Sequence, residues 1–399
     1  MQVKEGLVSI MVPCFNGENY IERFFDSILS QSYTKIQLIF VDDGSTDRTE
    51  EIALSYVDRL AGAGMRMEYY RKENGGAASA INVALQHVQG EYCMWMDADD
   101  YLSKDHIGMK VKALSDNPDA QVVKCRGVLV RETDLTEIAK LGTEKSVGTL
   151  FEDVLFGYQS LCNGLYMVRT EALFSALNDR KVYETEVGQN FQLLLPVLYN
   201  GKIVEIQDEM FFYVMREESH SHNIHGLEHW KKRQDLIDEV KAKVLESIHI
   251  RMSDGYRKKI EDLLELHSVI MRFEDILREI NYEEQSALPE YIRDIAVRWI
   301  GKDPKTIQKQ CYIWGASSKG RQIEALLENI FDVRISGYID SNWKEKTGSI
   351  SPEQMDPAYM HVMVPLFYYG QVKETLDRKG FTDADVSYPR EQLLRRIKK

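Results

Sequence analysis

The chain has 399 residues, of which 28% are charged and 44% hydrophobic, the composition of a soluble globular protein with two or three domains. Its formal net charge of −13 argues against general affinity for nucleic acid or for bare anionic lipid. A basic C-terminal tail is the local exception and leaves a weak contact with a membrane surface open.

The cysteine usage indicates a reducing compartment. The five cysteines are scattered and form no C-x-x-C pair or zinc-ligand spacing. The first residues are polar and lead into a strand pattern, so we expect no signal peptide. No apolar run approaches the roughly 20 residues that span a bilayer. These features predict a cytoplasmic protein, with any membrane association peripheral at the inner face.

The N-terminal region alternates between strand and helix patterns. Apolar runs predict buried strands at Val8–Val12, Ile36–Val41, Met65–Tyr70 and Tyr92–Met96. Helical spacing of apolar residues lies between them, over residues 18–30, about 50–60 and 77–88. This order predicts an α/β domain with a mostly parallel sheet and helices on both faces.

Polar residues follow the ends of these strands. They are Asn16, Asp43, the pair Gly75-Gly76, and the acidic cluster that begins at Asp97. Ligands bind at the carboxyl ends of the strands in such sheets. Four turn segments that deliver polar groups or bare backbone to one edge therefore predict a binding site there.

The acidic cluster is the most informative of these segments. Asp97 and Asp99 are two apart on an extended chain, so their side chains leave the same face. Buried carboxylates need a cation or strong donors, and two of them suit a divalent ion that also holds phosphate oxygens. The alternative is a solvated acidic turn, which is common after strands.

The rest of the chain divides into a helical region at 226–303 and a smaller α/β module at 304–399. The helical patterns are His229–Ser247, Tyr256–Ile280 and Pro289–Ile300. In the module, Gly315 to Gly320 resembles a dinucleotide-binding fingerprint in which Ser317 replaces the middle glycine. We predict a Rossmann-like module; nucleotide binding, assembly, acceptor binding and regulation all remain open as its role.

Residues from 1 to about 225 resemble the inverting GT-A glycosyltransferases of family 2. The matching segments, in order, are Val8–Asn16, Val41–Asp47, Glu73–Gly76 and Asp97–Asp100. The resemblance implies a GT-A domain and transfer of a hexose or N-acetylhexosamine from a nucleotide sugar, with a UDP-linked donor favoured, in cell-surface polysaccharide synthesis. It also implies a glycan or lipid-linked glycan as the acceptor, and a homo-oligomer is a further expectation.

The resemblance also assigns the donor side of the site. It places Pro13 and Asn16 in the nucleotide pocket and Asp43 against the base, while Gly75 and Gly76 let the backbone pass close to the nucleotide. Further along, Asp97 would face the ribose, and Asp99 would bind Mn²⁺ or Mg²⁺ across the diphosphate.

A later segment resembles the loop that covers the diphosphate in this family. By that resemblance, Arg216 contacts the diphosphate and His220, or alternatively His222, completes the metal shell. The competing interpretation is a polar surface loop.

The catalytic base is where the sequence departs from the family. Gln189 and Asn190 stand where relatives carry an acidic pair, and neither amide can accept a proton usefully near neutral pH. We predict Glu186 as the base, with Glu184 as second choice; either could instead be a charge near a helix N-terminus. The same departure favours an alternative function, a sugar-nucleotide-binding assembly subunit that has lost catalysis.

Overall fold

A computed structural model describes residues 3–144, 148–216, 227–248, 251–279, 290–364, 369–382 and 384–387. The chain groups into two compact units. The first comprises residues 1–223 with 235–257, and the second comprises 224–234 with 258–399. The domain boundaries predicted at 225 and 303 remain predictions.

The first unit is built on a nine-stranded mixed sheet. Its strands are β1 (Lys4–Cys14), β2 (Ile36–Asp42), β3 (Arg66–Arg71), β4 (Gly90–Trp95), β5 (Tyr101–Leu102), β6 (Val122–Arg131), β7 (Glu137–Leu141), β8 (Tyr166–Arg169) and β9 (Ile203–Met215). The order is β3-β2-β1-β4-β8-β6-β9-β5, with β7 paired to β6. All seven residues of β2 are buried, as expected for a strand covered on both faces.

The pairing of neighbouring strands changes from parallel to antiparallel beside β4. The first four strands are mutually parallel, as the sequence predicts. From β4 onward the pairing is mixed, because β8 runs antiparallel to both β4 and β6. The carboxyl end of β4 therefore lies where the parallel half ends, and the acidic cluster leaves the sheet there.

Helices of the first unit follow the strands closely. They are α1 (Ile21–Leu29), α2 (Thr49–Ser55), α3 (Val57–Gly62), α4 (Ala77–His87), α5 (His106–Asp116), α6 (Leu150–Leu155), α7 (Thr170–Ala176) and α8 (Gln189–Leu198). In α1, the apolar spacing buries Ile21, Phe24, Phe25 and Ile28 on one face.

Three longer helices occupy the predicted helical region. They are α9 (Leu227–Ile248), α10 (Asp254–Glu279) and α11 (Glu290–Ile300). The part of α9 from residue 235 onward belongs to the first unit, where Val240 packs against Gly188 at the start of α8. Within the described residues, no helix is both long and apolar enough to cross a bilayer.

The second unit contains a five-stranded parallel sheet. Its strands are β10 (Gln310–Trp314), β11 (Ile335–Ile339), β12 (Ser349–Ile350), β13 (Met360–Met363) and β14 (Val386–Ser387), and its helices include α12 (Ser318–Phe331) and α13 (Tyr369–Arg378). The strand order β12-β11-β10-β13-β14 is the doubly wound order of Rossmann-like sheets. The sheet is therefore that of the Rossmann-like module that the sequence predicts.

Candidate functional site

The acidic cluster lies directly after β4. Ligand oxygens of Asp97, Asp99 and Asp100 all fall within 4.8 Å of one another. Asp97 and Asp99 are partly exposed, whereas Asp100 is buried. Asp100 Oδ1 accepts a 2.9 Å hydrogen bond from the Val214 amide, and its Oδ2 has no hydrogen-bond partner among the described residues.

The electrostatics of the cluster show a shortage of positive charge. Burial, together with the charge of Asp99, raises the pKa of Asp97 to about 6. A hydrogen bond from Asn163 and the charge of Arg216 act in the opposite direction. Burial, then Asp99 and Asp97, raises the pKa of Asp100 well above its ordinary value. Hard carboxylate oxygens with an unpartnered buried atom among them fit a divalent cation such as Mn²⁺ or Mg²⁺.

Two arginines approach the cluster. Arg216 Nε lies 2.9 Å from Asp99 Oδ2, an ion pair whose N–H is not aligned for a hydrogen bond. The Arg216 guanidinium also stacks on the Tyr20 ring, 4.2 Å from its centroid. Arg23 Nη2 donates a 2.8 Å hydrogen bond to the Asp99 backbone carbonyl. The structure thus brings Arg216 and Asp99 together, whereas His220 and His222 lie outside the described residues.

Asn16 shapes the turn after β1. It has a positive φ of 50°, and its backbone N–H donates a hydrogen bond to Ser45 Oγ at 2.9 Å. Its side-chain Oδ1 accepts from the Thr46 amide at 2.9 Å. Pro13, partly buried, is in register with Val41 on β2. These contacts fix the two turns that follow β1 and β2 against each other at the predicted edge.

Asp43 is joined to the glycine turn after β3. Its buried carboxylate accepts hydrogen bonds from the amides of Gly75 and Gly76, the latter at 2.7 Å. Lys72 Nζ lies 2.7 Å from Asp43 Oδ1. The Asp43 carboxylate, which the sequence places against a nucleotide base, thus also holds the backbone of the glycine pair in place.

The segment before α8 holds the candidate bases. Glu184 is exposed, and its Oε1 accepts a 3.1 Å hydrogen bond from Asn82 Nδ2 on α4. Glu186 is also exposed, two residues before Gly188, which caps α8 with a left-handed φ of 81°. Asn190, in the first turn of α8, accepts a 2.9 Å hydrogen bond from Trp95 Nε1 at the end of β4.

Sequence reasoning missed several residues that complete this site. They are Tyr20, Arg23, Lys72 and Trp95. Lys72 had a usable signal, because a basic residue just before the glycine turn lies near the end of β3. The other three had no such signal, since their contacts join segments distant in the chain.

Sequence comparisons identify the family of this region. A family model described as Glycosyl transferase family 2 matches residues 9–169. An uncharacterized glycosyltransferase of Rickettsia typhi is 42% identical over 121 residues, 30% of this chain and 36% of that protein. Chondroitin synthase of Pasteurella multocida is 40% identical over 106 residues, 27% of this chain and 11% of that protein. The chain thus spans about a third or less of the length of these curated relatives.

Two solved structures are similar at a lower level. Staphylococcus aureus TarS 1–349 in complex with UDP-GlcNAc is 18% identical, with a TM-score of 0.45 and coverage of 74% of this chain and 86% of that one. The mannosyltransferase PcManGT from Pyrobaculum calidifontis, in complex with GDP-Man and Mn²⁺, is 19% identical, with a TM-score of 0.44 and coverage of 82% and 87%. Similarity at this level does not show which ligands this chain binds.

The family match covers the turns that carry the first part of the site, but not Arg216 or the segment before α8. It runs from within β1 to the end of β8 and so includes the turns at Asn16 and Asp43, the glycine pair and the acidic cluster. Residues 9–169 of this chain are a glycosyl transferase family 2 domain.

Proposed function

We propose that this protein is a metal-dependent inverting glycosyltransferase that moves a sugar from a UDP-linked donor to an acceptor hydroxyl. One observation carries the proposal: three carboxylates converge at the end of β4, one with an unpartnered buried oxygen, inside a family 2 domain. These carboxylates would hold a divalent cation, which would supply positive charge to the phosphate groups of a nucleotide.

On the donor side, Asp99 would hold Mn²⁺ or Mg²⁺, with His220 as a further ligand and Asp97 facing the ribose. The metal, when bound, supplies positive charge that stabilises the departing nucleoside diphosphate. Arg216 lies 2.9 Å from Asp99 and supports this assignment as a second positive charge within reach of a diphosphate.

The pocket for the nucleotide would be formed by the turns after β1, β2 and β3. Pro13 lies near the end of β1, Asn16 on the first turn and Asp43 on the second, and the glycine pair forms the third. Asp43 supports this assignment indirectly, because it holds the amides of Gly75 and Gly76 in place. A preorganised turn of this kind lowers the cost of ordering the site around a ligand.

On the acceptor side, we assign the base to Glu186, with Glu184 as the alternative. A base must remove the proton from the attacking hydroxyl. The Asn190 amide accepts from Trp95 and has no useful basicity. Of the two glutamates, Glu186 lies nearer the start of α8.

The acceptor proposed here is a glycan or lipid-linked glycan of a cell-surface polysaccharide. A relative named chondroitin synthase supports a glycan acceptor. The transferred unit would be a hexose or an N-acetylhexosamine. Peripheral membrane association, a cytoplasmic location and homo-oligomer formation complete the proposal.

A second candidate is a sugar-nucleotide-binding subunit without catalysis. The observation in its favour is the amide pair Gln189-Asn190 at the start of α8. The side-chain oxygen of Asn190 accepts a hydrogen bond from Trp95. This candidate shares the donor site with the first but lacks the transfer step.

Donor turnover separates the two functions. The protein is incubated with Mn²⁺ and a panel of UDP- and GDP-sugars, and release of the nucleoside diphosphate is measured. The enzyme hydrolyses one donor slowly, and Asp99→Asn abolishes this activity. Asp105→Asn serves as the matched control, because Asp105 is exposed and its side chain caps no helix amide. Binding of UDP with no turnover of any donor or added glycan would favour the subunit.

A further inference from the structure

We propose that Arg216, held on the ring of Tyr20, is an internal cation that occupies Asp99 until a divalent metal displaces it. Tyr20 is then a positioning residue of the donor site. The proposal rests on the proposed function in one respect, because it takes the carboxylate cluster as the metal site.

The geometry places Arg216 in direct competition with a metal. Its Nε lies 2.9 Å from Asp99 Oδ2, the carboxylate assigned to the metal. Both side chains are about one-fifth exposed, so the pair is only partly screened by solvent. A metal that takes this oxygen must break the ion pair, and it also meets the repulsion of the guanidinium.

Tyr20 explains why the guanidinium rests there. The residue lies just before α1, and its ring faces the guanidinium at 4.2 Å, within range of a cation–π contact. Its hydroxyl donates to the Phe15 carbonyl at 3.3 Å in the turn after β1. The ring is thus anchored to the nucleotide side of the site and holds Arg216 between that side and the acidic cluster.

Arg23 provides a contrast within the same site. It also carries a positive charge close to Asp99, but it donates to the backbone carbonyl and not to the carboxylate. A metal can bind the Asp99 carboxylate without displacing Arg23. Comparing the two arginines therefore separates direct competition from the general effect of nearby positive charge.

Competition predicts effects of opposite sign on two ligands. Without nucleotide, removing the Arg216 charge frees Asp99 and strengthens Mn²⁺ binding. With UDP present, the displaced guanidinium faces the diphosphate, so the same change weakens binding of UDP with Mn²⁺. Simple loosening of the structure would weaken both.

The experiment measures Mn²⁺ affinity by electron paramagnetic resonance of free Mn²⁺, and UDP affinity at saturating Mn²⁺ by calorimetry. Arg216→Met is expected to tighten Mn²⁺ binding by about 3- to 10-fold and to weaken UDP binding by about 5-fold or more. Tyr20→Leu is expected to tighten Mn²⁺ binding by about 2- to 3-fold, while Tyr20→Phe, which keeps the ring, behaves as wild type. Arg23→Met should change Mn²⁺ affinity by less than about 2-fold.

The possible results separate a failure of the Arg216 competition from a failure of the proposed metal site. Unchanged or weaker Mn²⁺ binding in Arg216→Met, with intact circular dichroism, overturns the competition. Arg216→Gln repeats the test should the methionine variant fold poorly. If the wild-type protein binds no Mn²⁺, or Asp99→Asn binds it equally well, the proposed metal site fails and this inference fails with it.

Discussion

Trp95 Nε1 at the end of β4 donates a 2.9 Å hydrogen bond to Asn190 Oδ1 in the first turn of α8. Trp95 is almost fully buried, so its N–H depends on this acceptor. The bond joins the strand that carries the acidic cluster to the helix that follows the candidate bases. Asn190 therefore has a structural role in a position where the family resemblance leads one to expect an acidic residue.

This bond predicts how substitutions at position 190 affect stability. Asn190→Leu leaves a buried N–H unpaired and should lower the free energy of unfolding by about 1–3 kcal/mol. Asn190→Asp keeps an acceptor and should stay within about 1 kcal/mol of wild type. Urea denaturation followed by tryptophan fluorescence measures both; a leucine variant as stable as wild type would show that the bond contributes nothing.

The backbone at Gly76 predicts a second effect. Its φ of 85° and ψ of 166° lie in a region that essentially only glycine adopts. Gly76→Ala should therefore lower stability by about 1–3 kcal/mol and weaken UDP binding, because the Gly76 amide would leave Asp43.

Gly62→Ala is the matched control, since Gly62 ends α3 and an added methyl group meets no atom within 4 Å. Thermal unfolding and UDP titration compare the two variants. Equal behaviour of Gly76→Ala and Gly62→Ala would remove the conformational argument for the glycine turn.

The assignment of the base predicts a separation of binding from transfer. Glu186→Gln keeps the shape of the side chain but removes its basicity, so sugar transfer should fall by about 10²- to 10⁴-fold while UDP binding is unchanged. Glu184→Gln should reduce transfer much less.

The control for both is Glu171→Gln, an exposed residue in the first turn of α7. Initial rates with the active donor and its acceptor, together with UDP titration, give both quantities. Near-normal transfer in Glu186→Gln, combined with a large loss in Glu184→Gln, would move the role to Glu184.

Lys241 predicts a pH-dependent stability. It is buried on α9, and its ammonium lies 5.0 Å from the centroid of the Phe191 ring. Burial lowers its pKa from 10.5 to about 8. Between pH 8 and 10.5 the unfolded chain therefore binds more protons than the folded one, and stability rises with pH.

Lys241→Met should abolish that rise and stabilise the protein at pH 7 by about 1–3 kcal/mol, because no buried charge remains. Lys104→Met, at an exposed position, should change neither value. Urea denaturation at pH 7 and pH 10 tests this; a destabilised Lys241→Met variant would show that the ammonium has a stabilising partner.

The part of the candidate site at the ends of β1 to β4 was largely predictable from the sequence, because its signals are local. The strand patterns place β1, β2, β3 and β4 within a few residues of their observed bounds. A polar turn follows each of these strands, and parallel strands bring such turns to one edge. Asp43, the glycine pair and Asp97 are accordingly found on these turns.

The part of the candidate site around α8 was less predictable, because it depends on contacts between distant segments. Asn82 on α4 binds Glu184 across 102 positions, and Trp95 binds Asn190 across 95. Neither the periodicity of apolar residues nor the turn residues in the sequence predict such long-range pairs. The antiparallel insertion of β8 beside β4 is likewise a matter of packing, which the alternation of strands and helices did not reveal.

By itself the sequence determined the α/β class, the strand ends and the acidic cluster, because backbone periodicity and turn chemistry act between near neighbours. Only the tertiary structure decided which charges face one another. It placed Arg216 against Asp99, Lys72 against Asp43 and Asn190 against Trp95. These pairings arise when strand register and helix packing bring remote side chains within a few ångströms, and no local pattern in the chain encodes that distance.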